Sequence, residues 1–356
     1  MKTAGVSFLE DRLLRAAGNA PLTALFELTY NCPYNCIHCY CKGAPARGGE
    51  LRTAECLQIL DRLREAGCLW LVFTGGEALT RPDFHEIYSY AKRLGFLITV
   101  FTTAYAVKKR HLRLFAEQPP YSVEISVYGA TSRVYESVTR RRGSFKRAMA
   151  NIEELRRLGL NVSIKMPCMT RNYLEFGRVK AWAEKNFGDK KKHVYGFSYD
   201  CALYPRLNGD TAPCELRLSS AQRRAMLKQD ADAVREFNCY LKDDFPEPLP
   251  KTALYHCNTW LNQVFITPQG RMKFCVFSDK FSLSAKKGKL LPAFRAMIKK
   301  VANARLRTDT PCGECHLRDI CSTCPSLALL ETGHEELPVP YFCVAAHEVE
   351  AAMRKP

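Results

Sequence analysis

The chain reads as an α/β protein: a partial (β/α)6 TIM-like barrel followed by a small cysteine-rich domain. Three observations predict this. Apolar strand-like runs alternate with amphipathic helical stretches from residue 21 to about 200. A C-x3-C-x2-C loop, formed by Cys32, Cys36 and Cys39, directly follows the first of those runs. Seven thiols then crowd between Cys257 and Cys343, where composition changes and periodicity weakens.

The elements follow in order. Met1 to Gly18 reads as a short amphipathic helix, within a segment assigned to residues 1–20. Strand one is Ala24–Tyr30. A helix over Thr53–Ala66 places Cys56, Ile59, Leu60 and Leu63 on one face, and Gly67 ends it. Strand two, Leu69–Thr74, is continuously apolar, as a buried parallel strand should be. A helix near Pro82–Leu94 leads to strand three, Leu97–Thr102, and strand four is Val123–Val127. Ser144 is placed as the N-cap of a helix reaching Leu158. Strand five is Val162–Met166 and strand six Val194–Tyr199. Such a succession argues a parallel sheet with right-handed crossovers. Eight units would close a barrel, so six predict a curved, open one. The barrel is assigned to residues 21–200 and a helical connection, including a Ser219–Leu241 helix, to 201–250. The cysteine-rich domain spans 251–345 and a helical tail 346–356.

Composition bounds the setting. With 356 residues and 47% hydrophobic content, the chain can bury a sizeable core. No signal-peptide pattern and no apolar run of membrane-spanning length appears, so no membrane is expected and the cytoplasm is the default. Seventeen cysteines are many for a reducing compartment, and their odd number forbids complete pairing. Metal binding explains them better. The net charge of +17 favours an acidic partner, although a solvated basic surface explains it as well. Nucleic acid is not expected, because no basic segment is interleaved with aromatics.

Three thiolates at the spacing of Cys32, Cys36 and Cys39 can hold three corners of a cubane [4Fe–4S] cluster, leaving one iron open. The bland alternative is part of a zinc site, whose spacings are more often C-x2-C pairs. The loop resembles the signature of the radical S-adenosylmethionine (SAM) superfamily. The resemblance implies that the open iron chelates SAM, which an electron splits into methionine and a 5′-deoxyadenosyl radical. It further implies that His38 packs near the adenine. Thr74-Gly75-Gly76-Glu77, roughly 35 residues beyond the loop, resembles the family's GGE motif, with Gly75, Gly76 and Glu77 offering acceptors to the SAM amine. Ser126 and Arg140 resemble the family's ribose and carboxylate contacts, but Tyr128 replaces an expected aspartate. Thr102-Thr103-Ala104 likewise departs from the usual pattern after strand three.

The second constellation reads C-x12-G-x4-C, a gap, C-x2-C-x5-C-x2-C, a gap, then C. It resembles the SPASM domain, which carries auxiliary [4Fe–4S] clusters. The resemblance implies that Cys312, Cys315, Cys321 and Cys343 bind one auxiliary cluster and Cys257, Cys275 and Cys324 hold a second. The short gap between Cys321 and Cys324 leaves open which serves which. Cys239, Cys214 and Cys201 are candidates for the fourth ligand of the incomplete set. A zinc ribbon is the plain alternative, but it gives Cys257, Cys275 and Cys343 no role.

Asp200 and Arg206, at and beyond the end of strand six, are the candidate catalytic residues, to take a proton or anchor a substrate. The resemblance implies a maturase that modifies a peptide or protein, by a thioether or carbon–carbon crosslink, an epimerisation or a side-chain oxidation. The expected partners are that substrate, a reductant such as flavodoxin or ferredoxin, and a separate leader-peptide-binding protein. An enzyme acting on a tetrapyrrole or other small molecule is the alternative. The rivals of another class are a non-catalytic iron–sulfur electron carrier and a zinc-bound nucleic-acid module.

Overall fold

The structure is a computed structural model. It describes residues 20–44, 49–188, 196–229, 250–256, 261–318 and 321–353. The expected N-terminal helix, residues 230–249 of the connecting segment, Cys239 and Cys257 lie outside the described residues.

Six parallel strands form the barrel wall: β1 (Thr23–Thr29), β2 (Trp70–Gly75), β3 (Leu97–Thr102), β4 (Ser122–Ser126), β5 (Val162–Pro167) and β6 (Phe197–Asp200). They lie side by side in sequence order. Between them run α1 (Thr53–Glu65), α2 (Phe84–Arg93), α3 (Lys109–Glu117), α4 (Ser132–Thr139), α5 (Ser144–Arg157) and α6 (Phe176–Phe187). Alternate residues of the first strands are fully buried: Ala24, Phe26 and Leu28 on β1, Leu71 and Phe73 on β2, Ile98 and Val100 on β3. They join Cys56, Ile59, Leu60 and Leu63 of α1 in one continuous core.

The opposite face is mixed, with Leu25, Val72 and Phe101 beside polar and charged residues. Ser126 pairs with Lys165 in register, and Lys165 reaches Glu124. Glu27, on the same face of β1, is only 3% exposed. One of its oxygens accepts the Tyr30 hydroxyl at 3.1 Å, and the other, Oε1, has no partner among the described residues. Burial, only partly offset by Lys273, raises its pKa to about 7.

After α7 (Ser220–Leu227), the chain returns to the sheet. Strand β7 (Gln263–Ile266) pairs in parallel with β1, aligning Phe265 with Leu25. Strands β8 (Arg271–Lys273) and β9 (Leu283–Ser284) add an antiparallel edge. The nine-stranded order is therefore β6-β5-β4-β3-β2-β1-β7-β8-β9. The cysteine-rich segment thus extends the barrel wall, where the sequence suggested a break. Helix α8 (Leu290–Ala302) packs Leu290, Phe294, Met297, Ile298 and Val301 into the main core, while α9 (Pro325–Thr332) and α10 (Pro340–Met353) build a small second core of Leu327, Ala328, Val339 and Phe342.

Two local details differ from expectation. Ser144 is the first residue of α5 and not its cap; Gly143, at φ 74°, occupies the cap position. The Ser144 hydroxyl turns inward to Thr139 at 2.9 Å. Helix α4, unexpected from the sequence, starts at Thr131, whose side chain accepts the Val134 amide.

Candidate active site and cysteine cavity

The first cysteine loop leaves β1 at its C-terminal end and is fastened on three sides. The Thr29 hydroxyl accepts the Asn31 amide at 2.9 Å and donates to Glu50. The Asn35 and Ile37 amides donate to the Thr139 and Val138 carbonyls at the end of α4. The Tyr34 ring packs 5.2 Å from Tyr105 and edge-on to Tyr128 and Tyr135. Cys32, Cys36 and Cys39 are unbridged thiols within this frame.

Their titration shows what the loop lacks. Burial pushes Cys32 up to about 12 and Cys36 well up. Cys39 is lowered to about 6, chiefly by the Cys41 thiol that hydrogen-bonds to it, with Arg206 contributing. Buried thiols become thiolates when a cation faces them. Iron supplies that charge, so the donor set fits a cluster. Among the described residues, no three His, Cys, Asp or Glu side chains converge as the ligands of a single ion would. In a cubane each thiolate holds its own iron, so its ligands stand further apart.

The glycine turn is locked onto this loop. Gly76 donates to the Thr29 carbonyl at 2.7 Å, and the Glu77 amide to Asn31 at 2.9 Å. At Gly75, with φ +123°, an added Cβ would lie 2.3 Å from the Thr29 oxygen. At Gly76 it would lie 2.6 Å from the Tyr30 and Asn31 oxygens. The close approach that demands glycine is therefore to the cysteine loop itself. Glu77 is 1% exposed, and burial raises its pKa. Its oxygens accept the Thr102 hydroxyl and both the amide and hydroxyl of Thr103, the last at 2.7 Å. The sequence flagged Thr102 and Thr103 as a departure; here they complete the glutamate's hydrogen bonds.

The remaining candidates are distributed as follows. The His38 ring packs tilted, 5.2 Å from Tyr128, and burial lowers its pKa to about 4, so the ring is neutral at pH 7. Its Nδ1 is buried without a partner among the described residues. That orphaned atom in the cysteine loop is what a ligand packed there would meet. Ser126 is half-buried at the end of β4. Arg140 is exposed in a left-handed C-cap at φ 54° and makes no side-chain hydrogen bond or ion pair among the described residues. Its neighbour Arg141 reaches the loop instead, donating to Pro33 and to the Tyr105 hydroxyl. The two arginines are adjacent at the end of α4 but point to different surroundings.

Asp200 ends β6, where it accepts the Ala202 amide at 2.7 Å and the Tyr204 hydroxyl at 3.1 Å. Arg206 pairs with Asp210, and the Leu207 amide donates to Tyr40. Arg206 thus sits beside the cysteine loop, as its effect on Cys39 also shows.

The second constellation forms a real enclosure. Cys312, Cys315, Cys321, Cys324 and Cys343 line one cavity of about 230 Å3. Cys275 follows β8 and does not line it. Of the fourth-ligand candidates, Cys214 contacts Glu331, and Cys201 contacts Met226 and Cys168. Three rings bridge the two cysteine sites. Tyr40 lies 5.4 Å from Phe277, and Phe277 lies 4.8 Å from Tyr204. Tyr204 and Phe277 pack against the second core alongside Cys321 and Cys324, and burial and Asp200 push the Tyr204 hydroxyl up.

An open parallel wall with thiols at its C-terminal rim defines a class: a partial-barrel enzyme with its chemistry at the strand ends. Residues 26–182 match the Radical SAM superfamily. The cofactors that accompany the family are SAM and a [4Fe–4S] cluster. The chain is 27% identical over 270 residues to the antilisterial bacteriocin subtilosin biosynthesis protein AlbA of Bacillus subtilis, across 74% of this chain and 57% of AlbA. It therefore spans little more than half of that relative. It is 24% identical over 351 residues to the AdoMet-dependent heme synthase of Methanosarcina barkeri, across 92% and 97% of the two chains. The fold matches that of Streptococcus suis SuiB bound to the precursor peptide SuiA, with a TM-score of 0.69 at 18% identity over 92% of this chain and 77% of SuiB.

Proposed function

We propose that the chain is a radical SAM maturase that abstracts hydrogen from a peptide or protein and so installs a modification. The observation that carries this reading is the docking of the Gly75-Gly76 turn onto the Cys32–Cys39 loop at the open end of the sheet. AlbA, named for bacteriocin biosynthesis, and SuiB, solved with a precursor peptide, support a peptide as substrate.

When bound, the cluster and SAM supply one-electron cleavage of a sulfonium and the hydrogen abstraction that follows. The chain's residues do the rest. Cys32, Cys36 and Cys39 hold three irons. His38, Ser126 and Arg140, or Arg141 in its place, frame the SAM side of the cleft. Gly75 and Gly76 bring β2 against the loop, and Glu77 braces that turn from below. Arg206 offsets the negative charge of a thiolate-bound cluster. Asp200, paired with the Tyr204 hydroxyl, stands at the strand ends where a substrate proton is accepted. Cys312, Cys315 and Cys343, with Cys321 or Cys324, would hold one auxiliary cluster, and Cys257, Cys275 and the other of that pair part of another. Their cavity meets the barrel through Tyr204 and Phe277.

A flavodoxin or ferredoxin supplies electrons, and a leader segment is held by a separate protein or the barrel rim. The reading places the protein in the cytoplasm; among the described residues no helix is long and apolar enough to cross a membrane.

The near full-length alignment with the heme synthase favours a second reading, a tetrapyrrole as substrate. Anaerobic iron and sulfide analysis followed by incubation with SAM and dithionite tests the first step. Deoxyadenosine must form; zinc in place of iron, or no deoxyadenosine with clusters loaded, ends the proposal. A mass shift on peptides encoded beside the gene, and none on a porphyrin, then separates the two substrates.

A further inference from the structure

A groove of about 1110 Å3 runs between α8 and the end of α9. Its rim carries Lys299, Lys300, Arg305 and Arg307, while Leu254 and Phe281 line it among the apolar residues. Two acids share it, and both are engaged. Glu335 pairs with Lys280 and accepts the Tyr255 hydroxyl. Glu336 accepts the Arg307 and Thr308 amides. The four rim cations have no carboxylate partner among the described residues. Lys299 and Lys300 sit in the last turn of α8, where the helix dipole alone favours a cation. Arg305 lies just beyond that helix and donates to the Ala302 and Ala304 carbonyls at its end, whereas Arg307 has no such reason.

The groove also has a particular neighbour. Leu254, Glu335 and Glu336 line both it and the five-thiol cavity, so the two share a wall one side chain thick. A binding surface made only for peptide charge has no need to lie against a cluster site.

We propose that this groove docks an acidic electron-carrier protein of the flavodoxin type against the auxiliary-cluster cavity. The inference rests on the cluster reading of that cavity given above. Opposite charge steers the encounter, and the apolar lining excludes water once the carrier is seated. In the transfer that docking permits, one electron leaves the reduced flavin and one iron–sulfur cluster of the enzyme gains it.

The test uses the cluster-loaded full chain and a purified acidic flavodoxin. Lys300 and Arg307 are both exposed, so the Lys300→Glu/Arg307→Glu variant reverses two charges without disturbing the core. Flavodoxin affinity is expected to fall at least about tenfold in the variant, and wild-type affinity to weaken as salt rises. Flavin reoxidation should slow by a similar factor, with dithionite-driven SAM cleavage unchanged. Equal flavodoxin affinity in the two proteins overturns the proposal. So does a variant that loses binding to polyglutamate but not to flavodoxin, since the groove would then take an acidic peptide. A wild-type protein that binds flavodoxin through these residues but cleaves no SAM would instead count against the proposed function and leave the docking surface standing.

Discussion

The two cysteine regions are built in opposite ways. Around Cys32, Cys36 and Cys39 the protein comes first: β1, the β2 turn and the end of α4 fix the backbone, and four tyrosines pack the loop. Around Cys312 to Cys343 the thiols themselves face a cavity, backed by a core of only four buried residues. The first site is a socket prepared by a large fold. The second is a small fold whose thiols line an enclosure. The lesson is that three cysteines held in a prefolded loop and five gathered around a cavity sit in different structural settings.

The sharpest way to break this comparison is a pair of single substitutions. Cys36→Ala should lower SAM cleavage at least about 100-fold, because three ligands are the minimum for an open-corner cluster. Cys315→Ala should leave deoxyadenosine formation but abolish product, read by liquid chromatography and peptide mass. Equal loss in both would erase the distinction.

Metal removal comes next. Chelation of the anaerobic protein should strip hydrogen-exchange protection from residues 312–343, because binding free energy there is folding free energy. Strands β1 to β4 should keep theirs. Simultaneous loss in both regions would mean that the barrel, too, depends on its metal.

Acid–base behaviour should belong to the barrel. Glu27 has a raised folded-state pKa, about 7 against 4.5. A carboxyl raised in this way favours the fold when protonated. Its contribution is full below pH 4.5 and is lost as pH climbs through 7, roughly 3 kcal/mol in all. Glu27→Gln should remove that slope and raise the urea midpoint at pH 7.5 relative to wild type. A wild-type midpoint flat from pH 5 to 7.5 would refute it.

The smallest expected effect probes the lock between turn and loop. Gly76→Ala must push two carbonyl oxygens aside and should cost about 2 kcal/mol in thermal or urea unfolding. Wild-type stability in that variant would show that the loop yields, contrary to the contrast drawn above.

Much of the barrel was legible in the chain. Strands one to five fall within one residue of their expected ends, and the buried face of α1 is the one its periodicity marks. Local pattern sufficed because each of these segments has one dominant period. Helices α3, α4 and α6 escaped notice; they are short or lie between stronger signals. What sequence could not supply was the long-range pairing. Nothing in Gln263–Ile266 announces β1 as its neighbour, and nothing in Thr102-Thr103 announces Glu77. Nothing in the sequence tells Arg140 from Arg141, which point to different surroundings at one helix end.

The strand that launches the cysteine loop is flanked on its other side by β7, drawn from the far end of the chain. Cutting the polypeptide before residue 261 would therefore strip β1 of a hydrogen-bonded neighbour and leave an unguarded sheet edge, open to pairing with any other exposed strand. The catalytic half cannot be trimmed to a self-sufficient minimal enzyme, and transplanting it onto a different tail would first have to provide a substitute for those few residues.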